Sequence, residues 1–168
     1  MSRFLAKLFA VAMFVCGPVM AETLSAPSGE VVLTVTGEIT VTNAPDAAVF
    51  DMEMLKELPV EAFETTTIWT EGSNRFVGVR LSDLLNSLGV EGGTLRATAI
   101  NDYSVEMPVD AARGGAPIIA YEMDGNPMSR RQKGPLWIVY PYDSDAEYRS
   151  ELAYSRSIWQ LDRLEVMQ

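Results

Sequence analysis

The sequence predicts a mixed α+β domain, mainly β, in which short helices serve as connections. Three observations carry that expectation. Segments at residues 31–41, 94–100, 103–109, 118–123, 136–140 and 158–166 are rich in β-branched, aromatic and other apolar residues, the types that suit a pleated, half-buried surface. Turn signals separate them, Asp124-Gly125 being the strongest. Helical spacing is confined to short stretches, so about eight strands and roughly two to four helices are expected.

Each element has its own justification. Residues 31–41 alternate around Gly37 and read as one or two strands with a bend at the glycine. Asn43, Ala44, Pro45 and Asp46 form a loop, and Asp51 caps a short helix with Met52, Leu55 and Leu58 as its apolar stripe, stopped at Pro59. Residues 65–85 are the centre of the chain: a strand over 65–69, a polar break at Gly72, Ser73 and Asn74, a second short strand and a helix. Ser82 is the expected N-cap of that helix, and Gly89 stands where it should stop. Residues 94–100 and 103–109 make a hairpin turning at Asn101-Asp102, and Asp110 to Arg113 supply one helical turn. A buried strand over 118–123 turns at Asp124-Gly125, and the return carries Arg130, Arg131 and Lys133 before a strand over 136–140 that Pro141 ends. Residues 142–145 are a polar loop, residues 148–157 loop or short helix, and residues 158–166 a final strand.

The first 21 residues read as a secretory signal. Arg3 and Lys7 precede an apolar run too short to span a bilayer, and Val19-Met20-Ala21 suits cleavage before Glu22. Val15 before Cys16 is unlike a lipoprotein site. The expected organisation is therefore a signal over 1–21 and a single periplasmic domain over 22–168, with no membrane insertion after cleavage. Losing Arg3 and Lys7 leaves 11 basic residues against 23 acidic ones, a formal charge of −12. That charge argues against nucleic acid and anionic membrane as partners. The chain has no histidine, and its one cysteine lies in the signal. A thiolate nucleophile, a Ser-His pair and most zinc or copper sites are thereby excluded.

Candidate chemistry lies in Trp69, the loop to Arg75, the turn Asn101-Asp102-Tyr103, the basic pair Arg130-Arg131 and the loop holding Tyr142 and Asp143. Brought together, these would offer aromatic planes, carboxylates and guanidinium forks, a mixture suited to a planar heterocycle with a donor edge and an acceptor edge. Each also has a plain structural reading. Trp69 and Tyr103 serve as core, Asp102 as a turn former, the arginines as solvated charge, and Tyr142 with Asp143 as a turn after proline.

The order W-x(8)-G-V-x-L-x-x-L-L from Trp69 to Leu85, A-x-N-D-Y from Ala99 to Tyr103, M-D-G-x-P-M from Met123 to Met128 and G-P-L-W-x-V-Y-P from Gly134 to Pro141 resembles the molybdopterin-binding domain of the sulfite oxidase family, over roughly residues 31–166. The resemblance implies a mixed β/α domain of that type. In the family's molybdenum enzymes a cysteine on the strand corresponding to residues 65–69 holds the metal. This chain has threonines, Ile68 and Trp69 there, so molybdenum redox chemistry is not expected. The chain is more similar to the small cysteine-less periplasmic pterin-response regulators of this fold. That resemblance implies a non-enzymatic sensor that binds a reduced pterin and contacts the periplasmic domain of a membrane-bound cyclic di-GMP synthase or phosphodiesterase, affecting biofilm formation. In such a site Trp69 would stack on the ring, Asp102 and Tyr103 would hydrogen-bond to it, and Arg75, Arg131 and Tyr142 would line the pocket, with no catalytic residue and no metal ligand. The alternatives are a molybdopterin-dependent oxidoreductase or a subunit of one, and an interaction module without a ligand.

Overall fold

The structure, a computed structural model, describes residues 24–114 and 117–168. The expected signal over 1–21 lies outside the described residues. In chain order the elements are β1 (Val31–Gly37), β2 (Ala47–Asp51), α1 (Met52–Glu57), β3 (Val60–Thr66), β4 (Ser73–Arg80), α2 (Leu81–Ser87), β5 (Thr94–Ala99), β6 (Ser104–Pro108), α3 (Val109–Gly114), β7 (Ile118–Met123), β8 (Asn126–Pro127), β9 (Trp137–Val139), α4 (Glu151–Arg156) and β10 (Leu161–Met167). Two single 3₁₀ turns lie at Arg130–Gln132 and Ala146–Tyr148.

The strands form two sheets, one mixed and one antiparallel. The first runs β2-β1-β10-β5-β6, and its single parallel pairing joins β1 to β10. The second runs β3-β4-β7-β8, with β9 also paired to β7. The sheets meet where β9 clasps the approach to β10: Trp137 bridges Trp159, and the Ile138 and Leu161 N–H groups donate to the carbonyls of Ile158 and Leu136 at 2.9 and 3.0 Å. This α+β architecture is the one expected from the residue pattern.

Several local expectations hold for the reason given. Asp51 does cap α1, accepting the Met54 N–H at 2.9 Å. Its other carboxylate oxygen takes the Ser28 and Gly29 N–H groups at 2.7 Å each, tying the preceding segment down. These backbone donors, Met54 first, hold the Asp51 carboxyl at about 2. Gly89 follows α2 at φ +68°, a left-handed stop. Asp124 and Gly125 both have positive φ, as a tight hairpin turn requires.

Other elements differ. Residues 31–41 yield one strand ending at Gly37, and Ala47–Asp51 is a strand where only a capping residue was expected. The strand expected over 65–69 begins earlier and ends at Thr66, leaving Trp69 in the following loop. Ser82 is not the N-cap of α2. β4 runs straight into the helix, Arg80 occupies the cap without a side-chain bond, and the Leu81 N–H donates to the Pro117 carbonyl at 3.1 Å. A tertiary carbonyl thus does what a capping side chain would do. Gly78, the glycine of the G-V pair, is required by proximity: a Cβ there would stand 2.1 Å from the Ile119 carbonyl on β7.

The core draws on both sheets. Leu33, Leu55, Leu81, Leu84, Leu85, Leu88 and Leu95 are fully buried within one continuous cluster.

Candidate functional site

The loop at residues 67–72 carries Trp69 and is built by threonines. The Thr67 hydroxyl accepts the N–H groups of Trp69 and Thr70 at 3.0 Å each and bonds the Thr70 hydroxyl at 2.8 Å. Upstream, Asp143 fixes the end of β3. Its carboxylate accepts the Thr66 N–H at 2.6 Å and the Thr66 hydroxyl at 2.8 Å, and its own N–H donates to the buried Thr65 hydroxyl at 3.1 Å. Those bonds hold the Asp143 carboxyl below its ordinary value, Thr66 contributing most. The hydroxyls of Thr65, Thr66, Thr67 and Thr70 are therefore all committed to shaping this loop.

Trp69 is presented to four other rings. Its ring meets Trp159 at 5.6 Å, Tyr154 at 5.7 Å, Trp137 at 5.8 Å and Tyr142 at 6.2 Å between centroids, all edge-on, the geometry that ring quadrupoles prefer. Two polar tips, those of Trp137 and Tyr142, are satisfied from behind. The Tyr142 hydroxyl donates to Ser157 Oγ at 2.6 Å, Ser157 Oγ donates to the Ala153 carbonyl at 2.7 Å, and Trp137 Nε1 donates to the Ser157 carbonyl at 3.2 Å. Burial pushes the Tyr142 phenol far up, so it stays protonated.

In front of this nest lies a cavity of 420 Å³. Trp69, Tyr154 and Trp159 supply its aromatic walls, and Asn101 and Tyr103 come from the β5–β6 turn. Ser155, Ser157, Ile158 and Ala99 complete it. That turn is held in place by the Ile100 N–H donating to the Gln160 carbonyl at 2.9 Å. No lining residue carries a charge at neutral pH. The volume lies in the range of small-molecule sites. The arrangement can take a flat, uncharged ring between aromatic faces, with amide, phenol and hydroxyl groups for its edge.

Of the expected site residues, Trp69 and Tyr103 line this cavity, and Tyr142 stands behind Trp69, fully buried. The others lie elsewhere. Asp102 is at the tip of the turn with φ +65°, and its carboxylate takes an Arg163 N–H at 2.7 Å on the surface. Arg75 sits opposite Glu64 on β3, its backbone N–H bound to Asp124 at 2.8 Å. Arg131 is on an exposed 3₁₀ turn. The basic group does reach the nest, but through Lys133, whose Nζ lies 4.3 Å above the Trp159 ring and 5.6 Å above Trp137. Residues 154–159 were missed by sequence reasoning; the signal was two aromatics flanking two serines in a short polar stretch.

The model of the oxidoreductase molybdopterin-binding domain matches residues 53–144. No curated protein matches the sequence. Among solved structures, the crystal structure of the sulfane dehydrogenase SoxCD from Paracoccus pantotrophus matches with a TM-score of 0.58 at 19% identity. The match covers 80% of this chain and 37% of that one, so the shared part is a fold and a minority of the longer protein.

Molybdopterin combines a pterin ring, a metal-binding dithiolene and a phosphate. The cavity residues fit the ring. They do not fit the rest: the lining contains no thiolate, no carboxylate and no cation, and the threonine hydroxyls at the end of β3 are occupied. Among the described residues no group of three or more His, Cys, Asp or Glu side chains could hold a metal ion, and no helix is long and apolar enough to cross a membrane.

Proposed function

The chain belongs to the oxidoreductase molybdopterin-binding domain family, and from that premise we propose that it binds a reduced pterin without molybdenum and acts as a non-enzymatic periplasmic sensor. One observation carries the ligand class: the cavity before Trp69 is walled by aromatic rings, Ala99, Ile158 and neutral hydrogen-bonding groups, with no charged residue in its lining. A neutral pterin is planar, needs ring faces and edge partners, and brings no charge to neutralise. A phosphorylated, metal-bearing relative would place charge against walls that offer none. The resemblance to pterin-response regulators supports the partner half of the reading, in which ligand state is passed to the periplasmic domain of a membrane cyclic di-GMP enzyme.

The second reading is a molybdopterin-dependent oxidoreductase domain, or a subunit of one. Family membership and the SoxCD likeness favour it. One experiment separates the two. The protein is expressed with its leader and denatured, and the released material is examined by fluorescence, mass spectrometry and elemental analysis. A stoichiometric pterin without molybdenum is the expected result. A molybdenum–pterin complex establishes the second reading instead. An empty protein that also ignores tetrahydropterin under anaerobic conditions overturns both and leaves an interaction module.

A further inference from the structure

Strands β2, β6, β3 and β8 lie at the margins of the two sheets, and three of them are blunted. Along the outer side of β2, Asn43 occupies the backbone of Val49: its amide donates to the Val49 carbonyl at 2.9 Å and its oxygen accepts the Val49 N–H at 2.8 Å. β6 ends in Pro108, which has no N–H to offer, and β8 is two residues long, one of them Pro127. β3 is different. It runs for seven residues in unbroken register with β4 and carries no proline, lysine or bulge, the devices that blunt natural edges. The direction of its backbone groups is fixed twice. The Thr66 N–H donates to Asp143 at 2.6 Å rather than to β4. Opposite Glu64, the backbone of Arg75 bonds Asp124 instead, its N–H donating to the carboxylate at 2.8 Å and its carbonyl accepting the Asp124 N–H at 2.8 Å. Antiparallel ladders alternate, so Val60, Ala62 and Glu64 turn their N–H and C=O groups outward. Among the described residues nothing pairs with those groups.

We propose that β3 is a docking edge for an extended, cationic segment of a partner protein, which joins the second sheet as a further strand. Backbone pairing over Val60, Ala62 and Glu64 supplies the attachment, and side chains supply the choice. Val60, Ala62 and Glu64 lie on one face of the strand, Glu61, Phe63 and Thr65 on the other. On the first face Glu64 is exposed and makes no ion pair among the described residues. A lysine or arginine placed opposite it completes a cross-strand pair. On the second face Phe63 is half-buried and offers apolar surface. The occupant therefore alternates cationic and apolar residues. A second copy of this chain fits less well. The sequence holds 23 Asp and Glu against 13 Lys and Arg, so copies repel one another whereas a basic segment is attracted. The edge shares no residue with the cavity before Trp69, so the inference is independent of the pterin reading.

The test is an NMR titration of the purified protein with an acetylated and amidated peptide of alternating Lys and Val, about eight residues long and so able to span the strand. Two control peptides accompany it: one with Glu in place of Lys, and one with the same Lys and Val but every amide N-methylated, which keeps the charge and cannot donate to a ladder. The Lys-Val peptide should give saturable shifts centred on Val60–Thr66 and slow the hydrogen exchange of the Val60, Ala62 and Glu64 N–H groups. Both controls should bind at least about tenfold more weakly. Ala62→Pro removes one outward N–H and no bond to β4, and should weaken the peptide by about tenfold; if that variant does not fold, the N-methylated peptide decides. Glu64→Gln should weaken it by about threefold. The proposal is overturned if the Lys-Val peptide gives no saturable shift at about 5 mM, if the shifts centre away from β3, or if the N-methylated peptide binds as tightly, which would leave charge attraction alone. Sedimentation should show a monomer at about 0.1 mM. A dimer that Ala62→Pro abolishes would give the edge to a second copy and overturn the proposal too.

Discussion

The leucine cluster of α2 and the ring cluster of Trp69 both sit at the heart of the molecule, and they solve burial in different ways. Leu81, Leu84, Leu85 and Leu88 are each fully buried. Branched aliphatic chains interdigitate to crystal-like density and carry no polar atom that asks for a partner. The rings around Trp69 are flat plates meeting edge to face at 5.6–6.2 Å. Plates packed in this way cannot close over one another on every side, and Trp159 remains 37% exposed. The Trp137 N–H and the Tyr142 O–H are bonded on the buried side through Ser157. The aliphatic cluster therefore fills space, and the aromatic cluster frames it.

That contrast can be broken most forcefully at Leu85. Leu85→Ala should cost about 3 kcal/mol of folding free energy, the lost transfer energy plus the void left in a tight core. Chemical denaturation reads the loss, and pterin affinity of the folded fraction should not change. Trp69→Ala should show the opposite balance. Its ring is partly exposed and carried on a loop, so the stability cost should be about 2 kcal/mol. Pterin affinity, measured by calorimetry, should fall at least about tenfold, because a stacking face is gone. Equal binding losses in both variants would mean that the two clusters are one cooperative unit.

The same contrast explains what was legible in the sequence. The leucines of α2 are visible because helical spacing is local, and so are the Asp51 cap and the Asp124-Gly125 turn. Ser82 misled because the rule for caps assumes a free helix start, whereas β4 feeds α2 directly and Pro117 supplies the acceptor. Trp69 lines the cavity from a loop rather than a strand, which its β-branched neighbours cannot reveal, since Thr67 folds back on Thr70. Arg75, Asp102 and Arg131 were grouped with it by chemistry alone. Only the pairing of strands shows that Arg75 lies against Glu64, and only the tertiary fold brings Tyr154, Ser155, Ser157, Ile158 and Trp159 to the cavity.

A smaller effect lies at Asp51, the cap of α1. Its folded value of about 2 lies below the ordinary 3.8. A depressed carboxyl contributes stability that is fully present above the unfolded value and is lost as pH falls through the folded one. Acid denaturation should therefore show a component between about pH 4 and pH 2. Asp51→Asn should flatten it, because the amide still caps α1 but no longer titrates. An unchanged acid limb in that variant would assign the titration to other carboxyls, Asp143 first among them.

The least effect is expected at Asp102, although its neighbours Asn101 and Tyr103 both line the cavity. Its carboxylate bonds Arg163 at 2.7 Å where the side chains are 83% and 46% exposed. An ion pair so open to water is worth under about 1 kcal/mol. The backbone does more than the carboxylate: at φ +65° the residue must accept a left-handed turn, which asparagine also tolerates. Asp102→Asn should thus keep the turn, lose the pair, and leave pterin affinity within about twofold of the parent. A tenfold loss would mean that the carboxylate leaves Arg163 and swings into the cavity when ligand arrives, replacing neutral recognition by a charged contact at the ring's donor edge. Because asparagine preserves the shape of the turn, such a loss could not be blamed on the backbone, and Arg163→Gln, by freeing the carboxylate, should then tighten binding rather than weaken it.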